Sequence, residues 1–178
     1  MKKANQLIFI VSIFSIFYGC KSNNNESLLN ISHSISLNKF PLFNGRENSG
    51  LININITIPD TMKPVSLESV KISFMENSDT DFLESVNIQY INKSEENAGK
   101  SLFGETSNIE TEEITVKGYA QFEPGNHAIS FDFTVSDEAR LEQSFRVDNI
   151  ELIFQNKISI IIDAEPLFSY RPAKILRH

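Results

Sequence analysis

The sequence lacks tryptophan, has a single cysteine and three histidines, and carries fewer basic than acidic residues. One cysteine cannot form an internal disulfide or a cysteine-based metal site. The 16 Lys and Arg against 23 Asp and Glu give a formal net charge of −7. This balance argues against a nucleic-acid-binding domain, which carries a basic face. The 178 residues suit one domain of roughly 100–200 residues with its own core.

The N-terminus has the pattern of an export signal rather than of folded structure. Lys2 and Lys3 precede an apolar run over residues 7–17. This run is shorter than the roughly 20 residues that span a bilayer as a helix, and it fits the apolar region of a signal peptide. We therefore predict that residues 1–19 are a lipoprotein signal peptide and that the protein is exported.

The only cysteine, Cys20, follows Gly19 at the end of this N-terminal segment. A small residue followed by cysteine at this place resembles a bacterial lipobox, in which the cysteine is lipidated and becomes the first mature residue. An ordinary signal peptide with a chance cysteine is the alternative. A lipid on Cys20 predicts a membrane-anchored protein, periplasmic or on the outer-membrane surface, since each buried methylene contributes about 0.8 kcal/mol. Residues 20–28 are polar and predict a flexible tether.

Most of the remaining sequence alternates between apolar and polar residues with a period of two, which is typical of half-buried strands. The clearest case is 51–58, where four isoleucines alternate with Asn53, Asn55 and Thr57. Further alternating stretches lie at 31–37, 70–74, 86–90, 114–119, 129–135, 147–154 and 158–162.

About eight strands without a long helix predict an all-β fold, an antiparallel β-sandwich of jelly-roll or immunoglobulin-like type, over residues 29–167. Residues 81–84 have capping-box spacing and predict one helical turn. Residues 93–112 are polar and predict a long mobile loop.

Several segments together resemble a known domain. They are Phe40 to Asn48, 65–74 followed by 86–90, the turn at 123–126, and Arg171 to Arg177. In this order they resemble the N-terminal β-sandwich domain that precedes the catalytic propeller of Bacteroidetes-type exo-α-sialidases. The resemblance covers about residues 29–178.

The resemblance implies a non-catalytic accessory module of a secreted or surface exo-α-sialidase. In the intact enzyme the module would position the propeller that releases sialic acid from glycoconjugates. It also implies that residues 168–178 are a linker to this propeller, a partner in cis, with Tyr170, Arg171 and Pro172 forming a stiff joint. Arg-Ile-Pro, the first catalytic motif of the family, would follow His178, where the sequence stops.

The residues that sialidase catalysis requires are missing from this sequence. The family uses three arginines to hold the substrate carboxylate, a Tyr–Glu nucleophile pair and an Asp acid/base. None of the five arginines stands in an Arg-Ile-Pro context, and the Trp-containing repeat of the propeller cannot occur without Trp. We predict no catalytic residue, no cofactor and no metal ligand, so the chain by itself is not expected to hydrolyse sialosides.

A glycan-binding role is the second hypothesis, as a stand-alone surface lipoprotein. Sugars pack their C–H faces on flat aromatic rings, and Tyr90 and Tyr119 lie on predicted strands. The polar side of the 51–58 strand presents Asn53 and Asn55, whose amides could hydrogen-bond a glycan. The alternatives are that both tyrosines are core or rim residues and that the asparagines form an ordinary solvated strand face.

Overall fold

The computed structural model describes residues 30–93, 99–109, 112–155, 158–164 and 169–173. Within these ranges the chain forms strands and no α-helix. The strands are β1 (Ser32–Leu37), β2 (Leu42–Phe43), β3 (Arg46–Ile58), β4 (Val65–Phe74), β5 (Leu83–Asn92), β6 (Lys100–Thr106), β7 (Glu113–Phe122), β8 (Gly125–Val135), β9 (Val147–Phe154), β10 (Ile158–Asp163) and β11 (Pro172–Ala173).

Two antiparallel sheets carry the fold. One has five strands in the order β1-β3-β8-β5-β6, and the other has four in the order β10-β9-β4-β7. The short strands β2 and β11 form a separate parallel pair. The two sheets pack as a sandwich, which confirms the predicted fold class.

The core lies between the sheets and follows from the period-two pattern. The isoleucines of β3 (52, 54, 56 and 58) are at most 1% exposed. Strand β8 contributes Ile129, Phe131, Phe133 and Val135, and β9 adds Ile150, Leu152 and Phe154 from the facing sheet. Burying each such side chain contributes about 1.5–3 kcal/mol. Alternate residues of the same strands therefore point outward on both sheets.

The predicted loop over 93–112 was wrong in its centre, because 100–106 is the edge strand β6. Phe103 is buried in the core while Leu102 is 56% exposed. A side chain on Gly104 would put its Cβ 2.3 Å from the Lys117 carbonyl oxygen of β7. The two sheets therefore approach closely at this side. A polar edge strand shows too little apolar alternation to be recognised from sequence.

The helical turn predicted at 81–84 was also wrong, because Leu83 already begins β5. Phe82 is buried beside Phe145, with ring centroids 6.1 Å apart. The predicted signal peptide 1–19, Cys20 and the tether 20–28 lie outside the described residues, as do 165–168 and 174–178. No helix in the described ranges has the length and apolar character needed to cross a membrane.

Candidate functional site

The structure does not bring the four predicted glycan-contact residues together. Asn53 and Asn55 point outward from the five-stranded sheet, since the isoleucines between them are buried. Tyr119 points outward from the four-stranded sheet, on the opposite side of the sandwich. Tyr90 lies between the sheets and packs against the core.

Tyr90 is engaged by residues of the sandwich itself. Its hydroxyl lies 2.9 Å from both the Gln121 carbonyl oxygen and His127 Nδ1. Its ring meets that of Phe122 edge-on, with centroids 5.0 Å apart. His127 is 1% exposed and its Nε2 lies 2.6 Å from the Glu123 carbonyl oxygen. These contacts match the alternative role of a rim residue with an internally bonded hydroxyl.

Tyr119 is 62% exposed and could offer its ring to a ligand. Its hydroxyl lies 3.4 Å from Ser66 Oγ and 3.4 Å from Gln121 Oε1. The same sheet face carries an ion pair between Lys71 Nζ and Glu113 Oε2 at 2.7 Å. The ring thus lies on a face with exposed charges.

The outer face of the five-stranded sheet is different, because amides and hydroxyls line its three central strands. Asn53 of β3 lies opposite Ser130 of β8. On the other side of β8, Ser130 lies opposite Gln89 of β5, and Asp132 lies opposite Asn87 of β5. We call this surface the amide face and define it by six residues, two from each strand: Asn53, Asn55, Ser130, Asp132, Asn87 and Gln89. Of these six residues, only the two asparagines of β3 were predicted from the sequence.

Asp132 is the carboxylate in the middle of the amide face and is 3% exposed. Its carboxylate accepts a 2.6 Å hydrogen bond from the backbone amide of Gly50. Gly50 itself has a φ of +64°. Burial raises the pKa of Asp132. The Gly50 hydrogen bond opposes this rise, the charge of Glu47 adds to it, and Lys100 and Ser130 act against it. The carboxylate therefore takes up a proton more readily than a solvated Asp does.

Two polar atoms of the amide face lack a hydrogen-bond partner among the described residues. They are Ser130 Oγ and Asn87 Oδ1, both buried. Ser130 is 1% exposed. Its hydroxyl lies close enough to the Asp132 carboxylate to lower the pKa of Asp132 as a weak hydrogen-bond donor, but it makes no well-formed hydrogen bond with any described residue. The Asn87 amide nitrogen donates to Glu47 Oε2 at 2.9 Å, so only the oxygen is left unbonded. Leaving such a buried group unbonded costs about 1–3 kcal/mol.

The remaining predicted site residues lie against the sandwich near its C-terminal end. Tyr170 is 1% exposed, donates its hydroxyl to the Leu51 carbonyl oxygen at 2.9 Å, and stacks on Phe145 with centroids 5.1 Å apart. Its backbone exchanges two hydrogen bonds with that of Phe145. Burial raises the pKa of the Tyr170 hydroxyl far above its usual range.

The next residues continue this attachment. The Leu42 amide donates to the Arg171 carbonyl oxygen at 2.8 Å, and Pro172 and Ala173 pair in parallel with β2. Pro172 is buried, whereas Arg171 is exposed. We call residues 170–173 the exit clamp. In the described part of the chain, no group of three or more His, Cys, Asp or Glu side chains could hold a metal ion.

No protein-family model matches the sequence, and comparison with curated proteins gives no match. Solved structures do match. A Hadza microbial sialidase aligns with a TM-score of 0.60 and 16% identity, over 78% of this chain and 30% of that one. What the two proteins share is the fold. The chain thus spans about a third of the length of this sialidase.

Two further structures align less well. AvmM, which catalyses macrocyclization in alchivemycin A biosynthesis, gives a TM-score of 0.46 at 8% identity, over 84% of this chain and 92% of that one. A family 123 glycoside hydrolase from Clostridium perfringens gives a TM-score of 0.41 at 12% identity, over 82% of this chain and 28% of that one. At these scores neither structure supports a functional argument.

Proposed function

We propose that this protein is a non-catalytic accessory module of a secreted or surface exo-α-sialidase. In this role it positions the catalytic propeller that releases sialic acid from glycoconjugates. The supporting observation is the shared fold with 30% of a sialidase chain, at a TM-score of 0.60. The motif order from Phe40 to Arg177 points to the same family.

The exit clamp supplies a physical basis for positioning. A flexible linker would let a following domain sample many orientations. Here Tyr170 is buried, and backbone hydrogen bonds tie Tyr170 and Arg171 to the sandwich. Pro172 has a fixed φ because of its ring. The chain is therefore held in a defined direction along β2 as far as Ala173.

Binding to a sialidase propeller that lacks its own N-terminal domain tests the proposal. We expect the chain to bind this propeller in calorimetry, to raise its melting temperature, and to show no turnover of a fluorogenic sialoside by itself. Absence of both binding and stabilisation would contradict the accessory role. Turnover by the chain itself would contradict the non-catalytic assignment.

A matched pair of Tyr→Phe variants tests the exit clamp. Tyr170→Phe removes the hydrogen bond to the Leu51 carbonyl oxygen and should cost about 1 kcal/mol of stability. Tyr119→Phe removes only contacts at 3.4 Å on an exposed residue and should change stability little. Hydrogen exchange of the Arg171 and Ala173 amides should accelerate in the first variant alone. Equal exchange in both would rule out Tyr170 as the residue that fixes the segment.

We also propose that Cys20 carries a lipid that anchors the protein to a membrane. Detergent phase partitioning after bacterial expression tests this directly. The wild-type chain should enter the detergent phase and Cys20→Ser the aqueous phase. Identical partitioning of the two would contradict the anchor.

A further inference from the structure

We infer that the amide face binds a neutral glycan, with Asn53, Asn87 and Gln89 as the half-exposed contacts above the floor formed by Ser130 and Asp132. Among the described residues, the outer face of the four-stranded sheet has no buried polar side-chain atom that lacks a hydrogen-bond partner. This inference concerns a ligand site and does not depend on a propeller partner.

The hydrogen-bonding chemistry of the face fits sugar hydroxyls. A hydroxyl both donates and accepts, and so does a side-chain amide. Strands lie about 4.8 Å apart, so Asn53 on β3 and Gln89 on β5, two strands apart, flank the Ser130 row of β8. A bound sugar lying across this row would meet donors and acceptors on both sides.

The unbonded atoms indicate where such hydroxyls would lie. Ser130 Oγ and Asn87 Oδ1 are buried without partners. Gly50, which has no side chain, leaves room for one carbon-sized atom beside Ser130 Oγ, between this hydroxyl and the Asn38 and Asn53 amide nitrogens. A Cβ placed there would lie 3.6 Å from Ser130 Oγ and 3.8 Å from Asn53 Nδ2, in ordinary contact. A ligand hydroxyl placed in this space would supply Ser130 Oγ with a well-formed hydrogen bond.

Charge favours a neutral ligand over an anionic one. The negative charge of Glu47 raises the pKa of Asp132, and Lys100 offsets this only in part. A sugar carboxylate placed next to them would add a third negative charge. A neutral hydroxyl can instead donate to Asp132, and a hydrogen bond to a carboxylate is stronger than one between neutral groups. None of the six residues is aromatic, so we expect weak binding in the millimolar range.

Nuclear magnetic resonance titration of the full-length ¹⁵N-labelled protein tests the inference. The neutral probes are lactose, N-acetyllactosamine and maltose, and the anionic probe is the methyl α-glycoside of sialic acid. We expect saturable shifts at the amides of Asn53, Asn87 and Gln89 with a neutral sugar. The sialoside should leave these signals unchanged.

Matched asparagine variants locate the site. Asn87→Ala removes contacts on the amide face and should raise the dissociation constant about three- to tenfold. Asn149→Ala is the control, because Asn149 points outward from β9 on the other sheet, where it donates to Asp148 Oδ2. Gln89→Ala is a second, half-exposed test variant. The spectrum of each variant reports whether it is folded.

Three results would overturn the inference. The first is the absence of saturable shifts with all three neutral sugars. The second is a set of shifts centred on β4 and β7 instead of β3, β5 and β8. The third is unchanged affinity in both Asn87→Ala and Gln89→Ala.

Discussion

The two outer faces of the sandwich cover the same kind of core but differ in chemistry. The face of the four-stranded sheet carries solvated charges, with Lys71 and Glu113 paired at 2.7 Å and 30% and 51% exposed. We call it the charged face. On the amide face, by contrast, the central carboxylate of Asp132 is only 3% exposed and Ser130 is 1% exposed.

This difference is not required by the fold. Both sheets turn Ile, Val and Phe inward and need only polar residues outward. A buried carboxylate and unbonded buried polar atoms each reduce stability. Sequences tend to carry such local costs at functional positions. The contrast therefore marks the amide face as the surface to test for function.

The largest expected loss of stability follows substitution of Gly50. Its φ of +64° is the left-handed region, and a Cβ there meets only atoms at 3.6 Å or more. Gly50→Ala should therefore cost about 1–2 kcal/mol, through backbone strain rather than through a clash. Ser73→Ala, at an outward position of β4, should stay within about 0.5 kcal/mol of wild type. Chemical denaturation measures both, and equal losses would remove this contrast between the faces.

The second-largest expected effect is a dependence of stability on pH that arises from Asp132. Its folded-state pKa is raised above 3.8, chiefly by burial, so the folded protein binds this proton more tightly than the unfolded chain does. The associated stability is present at pH values below the unfolded pKa and is lost as pH rises through the folded pKa. Asn at this position does not titrate.

Asp132→Asn should therefore gain stability relative to wild type as pH rises from about 3 to neutrality. Denaturation across this range measures the difference, with Glu151→Gln on the charged face as the matched carboxylate control. A relative stability of Asp132→Asn that falls with rising pH would contradict the burial argument.

Serine-to-alanine substitutions on the two faces should change stability in opposite directions. Ser130→Ala removes a buried hydroxyl without a hydrogen-bond partner and should leave stability unchanged or raise it by up to about 1 kcal/mol. Ser66→Ala removes a hydroxyl that lies 3.4 Å from the Tyr119 hydroxyl and should cost about 0.5 kcal/mol. Thermal unfolding of both compares them. A clear loss at Ser130 would show that its hydroxyl is already satisfied.

The smallest effect is expected on the charged face itself. Lys71→Met keeps the aliphatic part of the side chain and removes the ion pair with Glu113. Exposed ion pairs add little to stability because water and salt screen them. The melting temperature should stay close to that of wild type at low and high salt. A large drop would mean that this face is more than a solvated surface.

The alternation of apolar and polar residues was enough to predict the sandwich and most of its strands. The period of two is a local property, since successive side chains of a strand point to opposite faces. Strand β6 was missed because Lys100, Ser101 and Leu102 are exposed at the sheet edge. Only Phe103 of that segment is buried, and one apolar residue makes no pattern.

The candidate site was predicted only in part, because its contacts join residues distant in sequence. Asn53 and Asn55 could be identified from one strand, but the hydrogen bond of Gly50 to Asp132 spans 82 residues. The hydrogen bond of Tyr170 to the Leu51 carbonyl oxygen spans 119. A linear pattern does not specify which strand of a sheet lies next to which.

The sequence by itself therefore determined the class of fold and the buried side of most of its strands. The tertiary structure decided which outward residues share a face, because strand order and register are set by packing across the whole sandwich. It placed Tyr119 and Asn53 on opposite sides and joined Asn87 to Asp132. It also buried a carboxylate and a serine whose neighbours in sequence gave no sign of that burial.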